Sequence, residues 1–283
     1  MSPTLPNPLT GLTPEKILTW VVGLAALIAV IGLVAGCSAT PPPTQAPTGD
    51  LTVRVIRELP YAPQTFTEGL EVDGDNLLVS AGMTGRSSLS RRDIETGEVV
   101  EEVILDPQYF AEGTTRVGEV IWQMTYKAET AFQYDAETLE QIGEAHYSGE
   151  GWGLCSWDDD PATGTLYMSD GTAQLRRLAA ADFTEQGRIT VTENGQPVTR
   201  INELSCAPDG YLYANVFMTD DILQINPETG EVTGRIDASA LRPEEAKRDI
   251  NAVLNGIAHV PGTDHFYLSG KDWTVMYEVQ FVR

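Results

Sequence analysis

Two short segments repeat an aromatic residue, a spacer, a glutamate and a glycine: Phe66-Thr67-Glu68-Gly69 and Phe110-Ala111-Glu112-Gly113. Each ends a polar loop and runs into an alternating segment. A structural repeat explains the pattern but has no use for the charge, so both carboxyls are candidates for chemistry. Other chemistries find less support. The three histidines, His146, His259 and His265, lack zinc-site spacing, and a histidine-based catalytic zinc is not expected. No histidine accompanies Cys155 or Cys206 in the sequence pattern, so neither reads as a nucleophile. These two cysteines occupy similar contexts, "GWGLC" and "INELSC". In an oxidising compartment such a pair forms a disulfide. We expect Cys155 and Cys206 to be bonded across equivalent strands of neighbouring units.

The elements that must position these residues are strands. Apolar and polar residues alternate over "LTVRVIREL", "NLLVSAG", "GEVIWQMTY", "GTLYMSD", "GYLYANV" and "DHFYLSG", bounded by Asp-Gly, Thr-Gly and Pro turns. Helix signals are scarce, the best being a helical turn over Ser239 to Asp249 opened by Pro243. The strands recur in a fixed order with a period of roughly 40–50 residues, the range of four-stranded propeller blades. Five units fill residues 51–283, and the fifth lacks an outer strand. "LTVRVIREL" is an orphan of the right length, and pairing it with "TVMYEVQFVR" closes the ring and removes exposed edges. The expected fold is therefore all-β, a five-bladed β-propeller with its last blade closed by the N-terminal strand. The F-x-E-G segments then face the central channel. Asp170 in "SDGT" and Asp220 in "TDDI" recur at matching positions and read as turn and inter-blade hydrogen-bonding residues.

Residues 1–36 are unlike the rest. The apolar run Trp20 to Gly36 follows Lys16 and ends in "LVAGC", which reads as an export signal. Leu33 to Cys37 resembles a bacterial lipobox, and that resemblance implies cleavage before Cys37 and acylation of its thiol. Residues 37–50, rich in Pro and small polar residues, form an extended tether. The domain is thus expected at the extracytoplasmic face of the membrane, held by lipid and monomeric. The formal net charge is −23, and residues 1–36 carry only Glu15 and Lys16. Nucleic acid is excluded as a partner, since phosphate binding needs a basic surface. The acidity suits a soluble secreted domain.

The ordered set "FTEGL", "FAEG", "WQMTYK", "GWGL", "YMSDGT", "NEL", "ANVFMTDDI", "LNGIA" and "SGKDW" resembles the plant and bacterial type of glutaminyl-peptide cyclotransferases, or glutamine cyclotransferases. The resemblance covers the chain from about Leu51. It implies a five-bladed propeller that converts N-terminal glutamine to pyroglutamate with loss of ammonia. By the same resemblance, Phe110 and Glu112 match the F-x-E-G whose glutamate is the acid/base, Trp152 the GWG tryptophan, Asn202 the N-E-L asparagine and Lys271 the G-K-x-W lysine. Three positions depart from the family pattern: Glu68 replaces a glutamine, and Tyr126 and Phe217 replace tryptophans.

The implied reaction makes sense of these residues. The α-amine attacks the side-chain amide carbon, so holding the side chain curled supplies much of the acceleration. Phe66, Phe110, Tyr126, Trp152 and Phe217 would wall the site, with Glu68 as a further substrate contact. Lys271 and Asn202 are the candidates to meet the oxyanion. Glu112, its pKa raised by desolvation, would carry the proton from the attacking amine to the departing nitrogen. Trp273 reads as packing. No cofactor is required, although the sequence leaves room for a structural calcium ion held by carbonyls in the channel. Two alternatives stay open: a non-catalytic propeller that holds a peptide or other ligand, and a metal-dependent lactonase using Glu68, Glu112, Asn202 and Asn255. Lys271 at the same rim opposes a metal.

Overall fold

The computed structural model describes residues 49–62 and 65–283. The expected export signal (1–36), the lipidation site Cys37 and nearly all of the tether lie outside these residues. The described chain is built from strands: β1 (Gly49–Pro60), β2 (Thr67–Asp73), β3 (Asn76–Ala81), β4 (Ser88–Asp93), β5 (Val99–Ile104), β6 (Ala111–Val117), β7 (Val120–Thr125), β8 (Thr130–Asp135), β9 (Gln141–His146), β10 (Leu154–Ser156) and β11 (Thr165–Met168). They continue with β12 (Gln174–Ala179), β13 (Glu185–Thr190), β14 (Thr192–Glu193), β15 (Gln196–Pro197), β16 (Ile201–Cys206), β17 (Leu212–Val216), β18 (Asp221–Ile225), β19 (Val232–Asp237), β20 (Leu254–His259), β21 (His265–Gly270) and β22 (Val275–Val282). The expected helical turn over Ser239–Asp249 is instead two 3-10 turns, Ser239–Leu241 and Ala246–Arg248. Pro243 is the reason. Its ring disfavours helical geometry in the residue before it, and Arg242 is extended (φ −63°, ψ 114°).

Hydrogen bonding orders the strands as β2-β3-β4-β5, β6-β7-β8-β9 and β10-β11-β12-β13, with one continuous run β16-β17-β18-β19-β1-β22-β21-β20. The burial gradient across each sheet follows from this order. First strands such as β6 and β16 are buried almost throughout. The outer strands β5, β9 and β13 alternate between exposed and half-buried residues. Consecutive first strands pack on one another: β2 on β6, β6 on β10, β10 on β16, β16 on β20, and β20 back on β2. Apolar side chains fill the space between sheets. Trp122 and Met124 of β7 pack with Leu154, Leu166 and Leu178 of the next sheet, and Tyr213 and Ile222 with Ile257, Phe266 and Leu268.

The recurring D/N-x-E-T motif has a local cause. The Asp93 carboxylate accepts hydrogen bonds from the backbone N–H of Glu95 and Thr96 and from the Thr96 hydroxyl. Asp135 does the same for Glu137 and Thr138, and Asn226 accepts from the N–H of Glu228 and Thr229. These are Asx turns that reverse the chain between third and fourth strands.

The N-terminal strand pairs as its sequence suggests. β1 runs antiparallel to β22, from Thr52 opposite Val282 to Pro60 opposite Val275. It begins at Gly49, ahead of the expected start at Leu51, and its first residues also pair in parallel with β19 (Gly49 with Gly234, Thr52 with Asp237). The expected disulfide is present: Cys155 of β10 is bonded to Cys206 of β16, with Cα atoms 5.5 Å apart. First strands approach closely enough to demand glycine. A Cβ on Gly113 would lie 2.5 Å from the Leu154 nitrogen, a backbone atom that cannot move aside.

Candidate active site

The first strands share an irregularity at one end. Register breaks between Thr67 and Gly69 in β2, Ala111 and Thr114 in β6, Ile201 and Leu204 in β16, and Leu254 and Ile257 in β20. The residues displaced from the ladder include Glu68, Glu112, Asn202 and Asn255. A bulge re-aims side chains that a regular strand would commit to its sheet. In the remaining unit β10 starts just after Trp152, whose N–H donates to the Ser169 carbonyl. Glu68, Glu112, Asn202 and Trp152 line a common cavity of about 410 Å³, and Asn255 joins it through hydrogen bonds with Glu68 and Asn202.

All nine side chains expected at the site line this cavity: Glu112, Lys271, Asn202, Phe66, Glu68, Phe110, Tyr126, Trp152 and Phe217. The aromatic wall is made of two groups of contacting rings. Phe66 meets Phe110 edge-on at 6.2 Å, Phe110 lies 6.0 Å from Tyr126, and Trp152 meets Phe217 edge-on at 5.4 Å. Tyr126 and Phe217 are thus both part of this wall. The Trp152 indole N–H donates to Glu150 (3.1 Å), and Lys127 bridges Glu150 (3.2 Å) and the Tyr126 ring (4.6 Å). Gly171, in a left-handed turn (φ +76°), leaves room for that indole, because a Cβ there would meet its ring at 2.7 Å. Asp170 shapes the same turn by accepting from the N–H and hydroxyl of Thr172, and Asp220 lies 3.5 Å from Arg242. Trp273 is fully buried outside the cavity lining, its N–H donating to the Ala252 carbonyl.

The polar floor is one connected network. Lys271 donates to Glu68 at 2.6 Å and lies 4.7 Å from the centre of the Phe66 ring. Asn255 Nδ2 donates to the Thr67 carbonyl (2.8 Å) and to Glu68 (3.2 Å). Asn255 must then present its Oδ1, which accepts from Asn202 Nδ2 at 2.9 Å. This fixes the orientation of the Asn202 amide. Asn255 is the residue sequence reasoning assigned only to a hypothetical metal set. Its alignment with Glu68, Glu112 and Asn202 across the repeats was the available signal. Thr84 and Asn251 also line the cavity and come from loops with no such signal. Among the described residues, no group of three or more His, Cys, Asp or Glu is placed to hold a metal ion.

Glu112 and Glu68 are 6 % and 1 % exposed. Burial pushes the Glu112 carboxyl well above the usual range, the Glu68 charge pushes it further, and Lys271 opposes both. Burial also raises Glu68, but Lys271 pulls it back through charge and hydrogen bond. Sequence reasoning missed two further acids on the same strands, Glu203, which is fully buried, and Glu71, which is half-buried. Glu203 accepts from the Leu70 N–H (3.0 Å) while its other oxygen has no partner, and burial holds it well above the usual range. Glu71 is pushed up to about 7, chiefly by burial.

These raised carboxyls predict how stability depends on pH. Unfolded glutamate titrates near ~4.3, whereas Glu71 keeps its proton in the folded chain to about 7 and Glu203 is held well above the usual range by burial. The folded state binds more protons in that window, so the stability they contribute is complete below the unfolded value and is lost as pH rises. Surface aspartates such as Asp93 and Asp135 are lowered by their turn hydrogen bonds and oppose stability only at stronger acid. The melting temperature should therefore peak in mildly acidic solution and fall between about pH 5 and pH 8. Glu203→Gln should flatten that fall. Calorimetry across pH checks this, and a melting temperature rising steadily to pH 8 would contradict it.

The glutamine cyclotransferase family model matches residues 27–281. A glutaminyl-peptide cyclotransferase of Arabidopsis thaliana is 34 % identical over 233 residues, spanning 81 % of this chain and 71 % of that protein. The crystal structure of Myxococcus xanthus glutaminyl cyclase superposes with a TM-score of 0.76 at 36 % identity, over 83 % of this chain and 98 % of the other.

Proposed function

Because this chain belongs to the glutamine cyclotransferase family and is a glutaminyl-peptide cyclotransferase enzyme, we propose that its aromatic cavity cyclises N-terminal glutamine by metal-independent acid/base catalysis at Glu112. We read the sheets as a five-bladed β-propeller, with β1 completing the last blade. The carrying observation is the burial of Glu112 and Glu68, at first-strand bulges, together with Lys271 among aromatic rings.

Phe66, Phe110, Tyr126, Trp152 and Phe217 hold the aliphatic part of the glutamine and exclude water, curling the side chain so that the α-amine faces its own amide carbon. That arrangement makes ring closure effectively unimolecular. Negative charge grows on the amide oxygen during attack. Lys271 has three N–H donors, of which Glu68 takes one at 2.6 Å, so it can also meet the oxyanion, together with the Asn202 amide. Glu112 receives a proton from the attacking nitrogen and supplies one to the departing nitrogen, so ammonia leaves. No cofactor is needed for these steps. The Lys271–Glu68 pair supports this over a metal-dependent lactonase, which would need those carboxylates open to a cation. From the sequence, we also propose that Cys37 is acylated after removal of residues 1–36 and holds a monomeric enzyme at the extracytoplasmic membrane face.

The test is ammonia release from a Gln-initiated peptide by the native domain, with and without chelator. Equal release in both is expected; no release would remove the enzymatic reading, and loss on chelation would remove metal independence. The wall makes its own prediction. Trp152→Ala should raise KM about tenfold or more while lowering kcat less, as expected when a buried aromatic contact of about 1.5–3 kcal/mol is lost from substrate binding. A purely kcat effect in steady-state kinetics would show that Trp152 acts on the reacting atoms.

A further inference from the structure

Glu68 is this chain's own departure from the family pattern, and its contacts point to a role beyond substrate contact. Glu68 and Glu112 occupy equivalent bulges of adjacent first strands, line the same cavity, and are both buried, so the charge of each acts on the other. Two carboxylates buried in one cavity resist ionising together, so they hold a proton between them. The surroundings decide which one carries it. Glu68 accepts from Lys271 at 2.6 Å and from Asn255 at 3.2 Å, both of which favour its ionised form, and its charge in turn helps to raise Glu203. Glu112 faces Glu68, Lys271, Glu150 and Tyr147. None of these is shown donating to its carboxylate as Lys271 and Asn255 do to Glu68.

We propose that Glu68 and Glu112 form a carboxyl pair sharing one proton, in which Glu68 is the positioning residue that keeps that proton on Glu112. This rests on the cyclase reading above. The cycle balances without any added reactant. Glu112 starts protonated, the α-nitrogen bonds to the side-chain amide carbon, and the bond from that carbon to the amide nitrogen breaks. Glu112 gives its proton to the departing nitrogen, which leaves as ammonia, and takes one from the nitrogen now in the ring. Glu68 stays ionised throughout, and Lys271 stays beside it.

The substrate α-amine must be neutral to attack, which sets the acid limb of the pH–rate profile. Loss of the proton from Glu112 sets the alkaline limb. Glu68→Gln removes the like charge and leaves Lys271 facing Glu112, so the proton is lost at lower pH. We expect the alkaline limb of kcat/KM to move down by about one pH unit or more, with the acid limb unmoved. A structural role for Glu68 would lower the whole profile and leave its limbs in place, and that result overturns the proposal. A second measurement needs neither turnover nor a folded Glu68→Gln protein. The infrared difference between the native protein and Glu112→Gln should show a protonated carboxyl that persists at neutral pH. A Glu112 carboxyl that titrates in the ordinary carboxylate range also overturns the proposal. Absence of ammonia release by the native protein, with this infrared band intact, would instead count against the cyclase reading alone.

Discussion

Glu112→Gln should lower kcat by about 10²–10⁴-fold, the usual contribution of a positioned acid/base, with KM changed far less. The substitution keeps size and much of the hydrogen bonding but cannot release or accept a proton. The attacking amine then has no acceptor, and the amide nitrogen must leave as a poor, unprotonated group. The site around it should survive, because Glu68 stays paired with Lys271 and the aromatic wall does not depend on the Glu112 charge. Burial that is costly for a carboxylate is easily met by an amide, so the variant should fold at least as well as the native chain near neutral pH. Near-normal turnover in this variant would move the proton transfer to another group, of which Glu68 is the nearest.

Removing the disulfide should have the largest effect on stability. Cys155 and Cys206 close a loop across a sequence separation of 51 residues. Loop-closure entropy of that size corresponds to roughly 4 kcal/mol, and a domain of this length loses about 2–4 °C per kcal/mol. The Cys155→Ala/Cys206→Ala pair should therefore melt about 10 °C lower. The bond ties β10 to β16, the strands that follow Trp152 and carry Asn202. Activity well below the melting range should nonetheless stay within a few fold, since packing and backbone hydrogen bonds also hold both strands. Scanning calorimetry of oxidised and double-variant protein checks the first part. An unchanged melting temperature would mean that the bond constrains nothing that packing does not already fix.

Much of the architecture could be read from local chemistry. Period-two alternation marks the strands, and the Asp or Asn that opens each D/N-x-E-T turn acts through hydrogen bonds within three residues of itself. Such signals survive in a single sequence because cause and effect are adjacent. The orphan N-terminal strand was readable for a different reason: an unpaired edge is costly, and one partner was available. Its added parallel contact with β19 was not readable, because nothing local specifies which neighbour a strand's first residues meet. Over Ser239–Asp249 two 3-10 turns stand in place of one helical turn, since Pro243 breaks the run.

The site divides along the same line. Its members were found through ordered motifs, one or two per repeat, and the structure brings all nine around one cavity. Their orientation was hidden. The bulges that turn Glu68, Glu112 and Asn202 into the cavity, and that free Asn255 to bond behind them, have no sequence mark of their own. The hydrogen bond that makes Asn255 the hinge between Asn202 and Glu68 joins residues far apart in the chain. Glu203 escaped for the opposite reason. It sits inside the "NEL" motif beside a recognised residue, and only the structure shows it fully buried with one oxygen lacking a partner.

The central claim is that this cavity closes a ring between a peptide's own amine and its side-chain amide, with a protein carboxyl moving the proton. The most direct measurement uses a Gln-initiated peptide labelled with ¹⁵N only in the side-chain amide, incubated with native protein and with Glu112→Gln. With native protein, we predict that all ammonia released carries the label, one equivalent per peptide cyclised, and that release with Glu112→Gln is slowed by the factor given above. Label retained in the peptide, or released at equal rates by both proteins, would contradict the account.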